Sequence, residues 1–542
     1  MMRETEGGMY VQEDDNLIFA GLADPTGPFG NPDGSRAPIE NILDHFVDFR
    51  GNPAFGALAT RPDDATTRVI VGRLGAGKTV YLRRLRNFQA RQDSVFADHP
   101  QQNLPSTEAI VKACQWFPER FLTEKWMQVW SRAVLSALST HLLAHEELRP
   151  YVTHEQAESI RNDYGHLLGA FRRPRSIYGE LRTIINGQNT ARQLTNHLED
   201  PAWDDLEDVL ATMLRTCPPI FFYLDAVDEE FSHAPMYWLR CQKGLFYQVM
   251  RFLRDPRLGG RLHIVISIRD IVMSSVYRSE HAPRYHDEPH IRVLTWSRES
   301  VEYLLLEKLR RLNPTYFMAS GRYAHPVEAW LGTPVVHNEA RGVHERVTDY
   351  LLRHTRLIPR DIVSLGNAVC AEILRQKAAG RSELSQKDLR RVVARASKRF
   401  GDSQLAQASN QIAADTMPKN AARHGYSEVY TSTMEYLAGI DQQVREIIRE
   451  VGYDRFSREE LELVEMRAAE KFDSATSFSS VLWQNGLLGC VEPGGETRFY
   501  SHADMDQFDL PDDAASYAFH PCVIDSIPIR GVGDPVYPFR RG

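Results

Sequence analysis

At 542 residues the chain is too long for one hydrophobic core, and three or four domains are expected. Its 42% apolar and 25% charged residues are the composition of an ordinary soluble globular protein. A formal net charge of −8 argues against a general attraction to nucleic acid or anionic membrane.

The opening "MMRETEGGMYVQEDD" is polar and acidic, without the charged start and apolar stretch of a signal peptide. No run approaches the roughly 18 uninterrupted apolar residues that mark a membrane span. Cys114, Cys217, Cys241, Cys370, Cys490 and Cys522 are scattered without metal-ligand spacing, as expected of buried, reduced thiols in a cytoplasmic protein. Residues 1 to about 36 are rich in Gly, Pro and Asp and read as an irregular lead-in. "IENILDHFVDF" (39–49) has helical apolar spacing, and "TRVIVG" (67–72) is a buried strand ending in glycine. The segment from about 105 to 215 is mostly helical. "PPIFFYLDAVDEEF" (218–231), "RLHIVISIRD" (261–270) and "HIRVLTW" (290–296) read as further strands. Apolar on both faces and separated by helices, they predict a parallel sheet covered on both sides. "SRESVEYLLLEKLRRL" opens a region expected to be all-helical to about residue 400, and a linker is expected around 417–428.

"GRLGAGKT" fits G-x-x-x-x-G-K-[ST] as Gly72, Gly77, Lys78 and Thr79, with an additional Gly75. Glycines let backbone amides curl around a phosphate, and the following helix points its positive end at the same anion. Lys78 can reach the β- and γ-phosphates, and the Thr79 hydroxyl can ligate Mg²⁺. A second metal anchor is expected at a neighbouring strand end, where "FFYLDAVDEE" supplies Asp225. Asp228 or Glu229 then serves as the base for the attacking water. "IVISIRD" ends in Ser267 and Arg269, and the arginine is placed to sense or neutralise a γ-phosphate.

These three pieces together resemble the STAND branch of the AAA+-like P-loop ATPases, relatives of the origin-recognition and helicase-loading ATPases. "FFYLDAVDE" is similar to their Walker B strand, and Arg269 matches the arginine that ends their next strand. "IRVLTWSRESVEYLLLEKL" resembles the family's lead into its first lid helix, and "TRLIPRDIVSLGNAV" its lid motif. That resemblance puts Pro359 and Arg360 where a second sensor would sit, and it implies ATP and Mg²⁺ as cofactors. It covers roughly residues 60 to 400. The segment between the two Walker motifs is far longer than the family minimum, and no spacing argument singles out Arg284 as an arginine finger.

Residues 440–500 read helix, helix, helix, hairpin, an order that resembles a winged helix. Its would-be recognition helix, Ser474 to Asn485, contains no Lys or Arg, and from residue 430 onward about ten basic residues face about twenty acidic ones. Phosphate binding needs the opposite balance, so protein contact or autoinhibition is favoured over duplex DNA for this module. The best basic surface is Lys387, Arg391, Arg395 and Arg399, recurring every four residues, which reads first as a solvated helix face.

The expected architecture is therefore α/β. An N-terminal lead-in and helix (1–60) precede a P-loop core with a helical insertion (61–297), a helical lid (298–420) and a winged-helix-like module (425–542). The expected function is a cytoplasmic, slow ATPase acting as a nucleotide-dependent switch in signalling or defence, with a protein partner or self-association through the C-terminal module and no membrane. The rival readings are a DNA-associated ATPase of the origin-recognition or loader type, and a nucleotide-bound scaffold with negligible hydrolysis.

Overall fold

The computed structural model describes residues 27–49, 55–56, 58, 66–100, 107–225, 235–319, 321–339, 341–416, 426–474, 476–493, 495–500, 509–511, 514 and 516–539. Five parallel strands form the central sheet: β1 (Val69–Gly72), β2 (Phe96–Ala97), β3 (Ile220–Leu224), β4 (Leu262–Arg269) and β5 (Ile291–Val293). Their order is β2-β3-β4-β1-β5. Alternate residues enter two separate cores, which is why these sequences are apolar throughout. Ile70, Phe221, Tyr223 and Val265 belong to one core, and Val69, Val71, Phe222, Ile264 and Ile266 to the other.

Ahead of β1 lies α1 (Ile39–His45), and α2 (Lys78–Gln89) follows it. The expected helical insertion between β2 and β3 is present as α3 (Thr107–Trp116), α4 (Leu122–Ala144), α5 (His154–Asp163), α6 (Gly165–Leu168), α7 (Ile177–Asn186), α8 (Ala191–Leu198) and α9 (Ala202–Leu214). Trp126, Trp130 and Trp203 anchor it in the second core, sealing one face of the sheet. Next come α10 (Pro235–Arg254) before β4 and α11 (Asp270–Tyr277) after it.

Beyond the sheet run α12 (Arg298–Arg310), α13 (Pro326–Leu331), α14 (Val347–Arg353), α15 (Pro359–Ala378) and α16 (Gln386–Thr416). The region is not all-helical as expected. An antiparallel hairpin, β6 (Val335–Asn338) with β7 (Val343–Arg346), interrupts it. Tertiary pairing explains the hairpin. Glu345 is buried against Arg353 at 2.6 Å and accepts from the Tyr537 hydroxyl at 2.6 Å. At the hairpin tip Arg341 donates to the carbonyls of Val532, Gly533 and Asp534 and pairs with Asp454.

The C-terminal part contains α17 (Tyr426–Val451), β8 (Arg455–Ser457), α18 (Arg458–Lys471), α19 (Phe478–Gln484), β9 (Leu488–Val491), β10 (Thr497–Phe499), β11 (Ser516–Phe519) and α20 (Pro521–Ser526). Its four strands form a second sheet in the order β10-β9-β11-β8. Phe478 to Trp483 of α19 are all buried. Part of the expected linker, 417–425, lies outside the described residues. The remainder begins α17. All six cysteines are buried free thiols, and among the described residues no helix is long and apolar enough to cross a membrane.

Two buried histidines give stability a pH dependence. Burial, then Arg68 and other nearby cations, pushes His263 down to about 3. Burial, then His354, Arg356 and Arg73, pushes His520 down to about 3. Both start from 6.5, so between these values the unfolded chain binds the extra protons and stability falls with falling pH. Each histidine contributes about 1.4 kcal/mol per pH unit in that window. Melting temperatures measured from pH 7 to pH 4 are expected to fall less steeply for His520→Asn. Asn keeps an acceptor for the Cys522 amide that His520 Nδ1 now caps at 3.2 Å, but it does not titrate.

Candidate functional site

The glycine loop between β1 and α2 turns through Gly75 at φ 88° and Gly77 at φ 96°. Gly75 has no room for a side chain. A Cβ there would lie 2.9 Å from Arg360 Cβ and 2.9 Å from Ile358 Cδ1. The start of α15 therefore rests directly on the loop, and the Arg360 amide donates to Gly75 O at 3.2 Å. Lys78 is buried, and its Nζ donates to Gly72 O at 2.9 Å and Arg73 O at 3.1 Å. Trp296 Nε1 donates to Ala76 O at 3.0 Å and fixes the far side of the loop.

Asp225 leaves the C-terminal end of β3, beside β1's neighbour β4. Ser267 Oγ donates to Asp225 Oδ1 at 2.7 Å, and the Tyr178 hydroxyl holds the Asp225 carbonyl at 2.8 Å. The insertion thus reaches the site through Tyr178. Gly75, Gly77, Lys78, Thr79, Asp225, Pro359 and Arg360 all line one cavity of about 470 Å³. Gly72, the strand-end glycine, pairs in register with Arg269.

Arg269 itself is not among the described residues lining the cavity. Its guanidinium packs over Trp238, 5.8 Å from the ring centroid. Arg284 is exposed, with its carbonyl accepting from Arg254 at 3.2 Å, and is also absent from the described lining. Asp228 and Glu229 lie outside the described residues.

The sequence reading missed two parts of this site. The N-terminal lead-in is one: Phe29 to Ala37, together with Asn41, His45 and Phe46 around α1, forms much of the cavity wall. The other is Arg73, at a position the motif leaves open. Its Nη2 donates to Tyr500 O at 2.7 Å, its guanidinium stands 5.4 Å from the Tyr500 ring, and Asp270 lies 3.9 Å away. A Cβ on Gly486, at φ 66°, would come within 3.1 Å of Arg73 Nη1. The loop that borders the cavity is thereby bonded to the C-terminal sheet module.

The donor set suits a polyphosphate with a hard divalent cation. Lys78 and Arg360 bring positive charge, the start of α2 carries no side-chain cap, and Thr79 and Asp225 offer oxygen ligands. Comparison with known proteins finds no matching family model and no matching curated relative.

Proposed function

We propose that the protein is a slow, Mg²⁺-dependent ATPase of the STAND type that works as a nucleotide-dependent switch. The observation that carries the reading is the convergence of Lys78, Thr79, Asp225 and Arg360 on one cavity at the strand ends of a parallel sheet. The strand order supports it, because β1 and β3, which carry the two motifs, flank β4 with its Ser267 and Arg269. Bound MgATP supplies the scissile phosphoanhydride and the cation that polarises it. The chain's own groups do the rest. Lys78 meets the phosphate charge, Thr79 and Asp225 hold the cation, and Ser267 orients the Asp225 carboxylate. Asp228 or Glu229 takes the proton of the attacking water. Arg360, in the first turn of α15, reports the phosphate state to that helix of the proposed lid.

The switch reading rests on Arg73, which ties the phosphate loop to the proposed winged-helix-like module. DNA contact through that module is disfavoured by its acidic surplus and by the burial of α19. Lys387, Arg391, Arg395 and Arg399 on α16 are exposed, and Arg391 is already paired with Asp388 at 2.8 Å, as a solvated face requires.

Two variants test the proposal. Asp225→Asn is expected to remove most of the Mg²⁺ dependence of ATP binding, read by titration with and without the metal. Arg73→Ala is expected to raise basal turnover by at least about fivefold, the lower end of ordinary coupling between sites. A turnover equal to wild type would detach the C-terminal module from the switch. Unaltered Mg²⁺ dependence in Asp225→Asn would remove the metal site.

A further inference from the structure

Residues 27–38 cross the cavity as a strap whose backbone is held by side chains from two distant helices, α2 and α15. Arg83 Nη1 donates to Gly34 O at 2.6 Å, Ser35 O at 3.4 Å and Ala37 O at 2.5 Å. Arg360 Nε donates to Pro32 O at 3.2 Å. At the leading end Asn367 accepts from the Phe29 amide at 2.9 Å and donates to Gly30 O at 3.0 Å. Phe29 is fully buried beside Trp330.

The strap lies on the catalytic side of the glycine loop. A Cβ on Gly34 would be 2.9 Å from Val80 Cγ2 and 3.7 Å from Thr79 Cβ. Arg83 is one helical turn beyond Thr79 and is not among the described residues lining the cavity, so it acts on the site through the strap. Burial lowers the Arg83 pKa, and Asp225 is the strongest charge opposing that shift, which places the guanidinium near the proposed metal carboxylate.

We propose that residues 29–37 are a working part of the nucleotide site, with Arg83 as the positioning residue that latches them over Thr79 and sets how long a nucleotide stays bound. The inference rests on the nucleotide reading. Its physical basis is that the latch bonds run from cationic or amide donors to neutral carbonyls. A phosphate drawing on Arg360 takes it from Pro32, because an anionic oxygen attracts a guanidinium more strongly than a neutral carbonyl does. The Arg83 bonds lie behind the strap and are left in place, so the strap stays closed while Arg360 changes partner. Release then requires the Arg83 latch to open.

The test is stopped-flow displacement of mant-ATP in Mg²⁺ from full-length wild type, Arg83→Ala, Arg83→Lys, Asn367→Ala and Lys78→Ala, each checked for wild-type melting. Arg83→Ala is expected to dissociate about tenfold faster, as loss of one charge-assisted hydrogen bond implies, with association unchanged or faster. Arg83→Lys, whose ammonium can still serve several carbonyls, is expected to recover much of the slow release. Asn367→Ala, which frees the other end of the strap, is expected to speed release by a smaller factor. Wild-type dissociation in both Arg83→Ala and Asn367→Ala would overturn the latch. Should Arg83→Ala fail to fold, wild-type dissociation in Asn367→Ala overturns it alone. A wild-type protein that takes up no mant-ATP would defeat the nucleotide reading and the latch together. Uptake by wild type, absent in Lys78→Ala, with unchanged release in the strap variants, defeats the latch only.

Discussion

Lys78→Ala is expected to lower MgATP affinity by at least about a hundredfold, the loss of one or two charge-assisted hydrogen bonds to phosphate, while the fold survives. The amine is buried rather than solvated, and it donates to the Gly72 and Arg73 carbonyls. Its removal therefore costs the protein about 1–3 kcal/mol for the lost hydrogen bonds, with Arg73 O still accepting from the Ala76 amide at 3.1 Å. That loss is small beside the stability of a chain held by two large cores. Calorimetric titration with MgATP, paired with a melting curve, separates the two effects. Wild-type affinity in the folded variant would mean that the glycine loop does not hold phosphate.

Asp361→Ala is expected to be the most destabilising single change near the site, by about 3–5 kcal/mol, because it strands a buried guanidinium. Arg356 donates from Nε at 2.9 Å and from Nη2 at 2.7 Å to the Asp361 carboxylate, which also accepts the Arg356 amide at 3.0 Å. The Asp361 side chain is 0% exposed and that of Arg356 is 8% exposed. Burial lowers the Arg356 pKa, but Asp361 more than reverses this and leaves it raised. The pair closes a turn in which Leu357 is held at φ 53°, a left-handed conformation that costs a leucine about 1–2 kcal/mol. Without the carboxylate the turn relaxes, and Arg360, one residue before it, loses its fixed position over Gly75. Thermal unfolding measures the loss. The double variant Arg356→Met/Asp361→Leu is expected to regain most of it, since it leaves no buried charge. A melting temperature equal to wild type in Asp361→Ala would show that Gln404 alone satisfies Arg356.

The central sheet was legible because its strands are buried on both faces. Runs such as Ile220–Leu224 carry five successive apolar residues, a signal that depends on no distant partner. Gly75, Gly77, Lys78 and Thr79 were legible for a related reason: their local spacing already dictates a bare turn followed by a helix. The hairpin at Val335–Arg346 was not legible. Only Val336 and Glu345 are buried along its two strands, and Glu345 is charged, so no alternation of apolar residues announces it. The strap was invisible for another reason. Its Gly, Pro and Asp residues promise only turns, and its order comes from Arg83, Arg360 and Asn367. Arg73 bonds to Tyr500, 427 positions away, and nothing in the motif distinguishes it from a solvated arginine. The lack of Lys and Arg from Ser474 to Asn485 was legible in the sequence, but the burial of Phe478 to Trp483 was not.

The sheet's two faces carry a consequence for how the protein comes apart. One core runs without a break from Ile70 and Tyr223 through Val369 and Phe400 to Trp483 and Phe519, while the other joins the insertion to the opposite face of the same strands. The sheet is a shared wall, so neither side can melt without stripping apolar surface from β1, β3 and β4. Calorimetry should accordingly record one cooperative endotherm rather than the several that a chain of this length suggests. Amide exchange in β3 and β4 should proceed only through that global event, and exchange in residues 27–37 through local opening far below it.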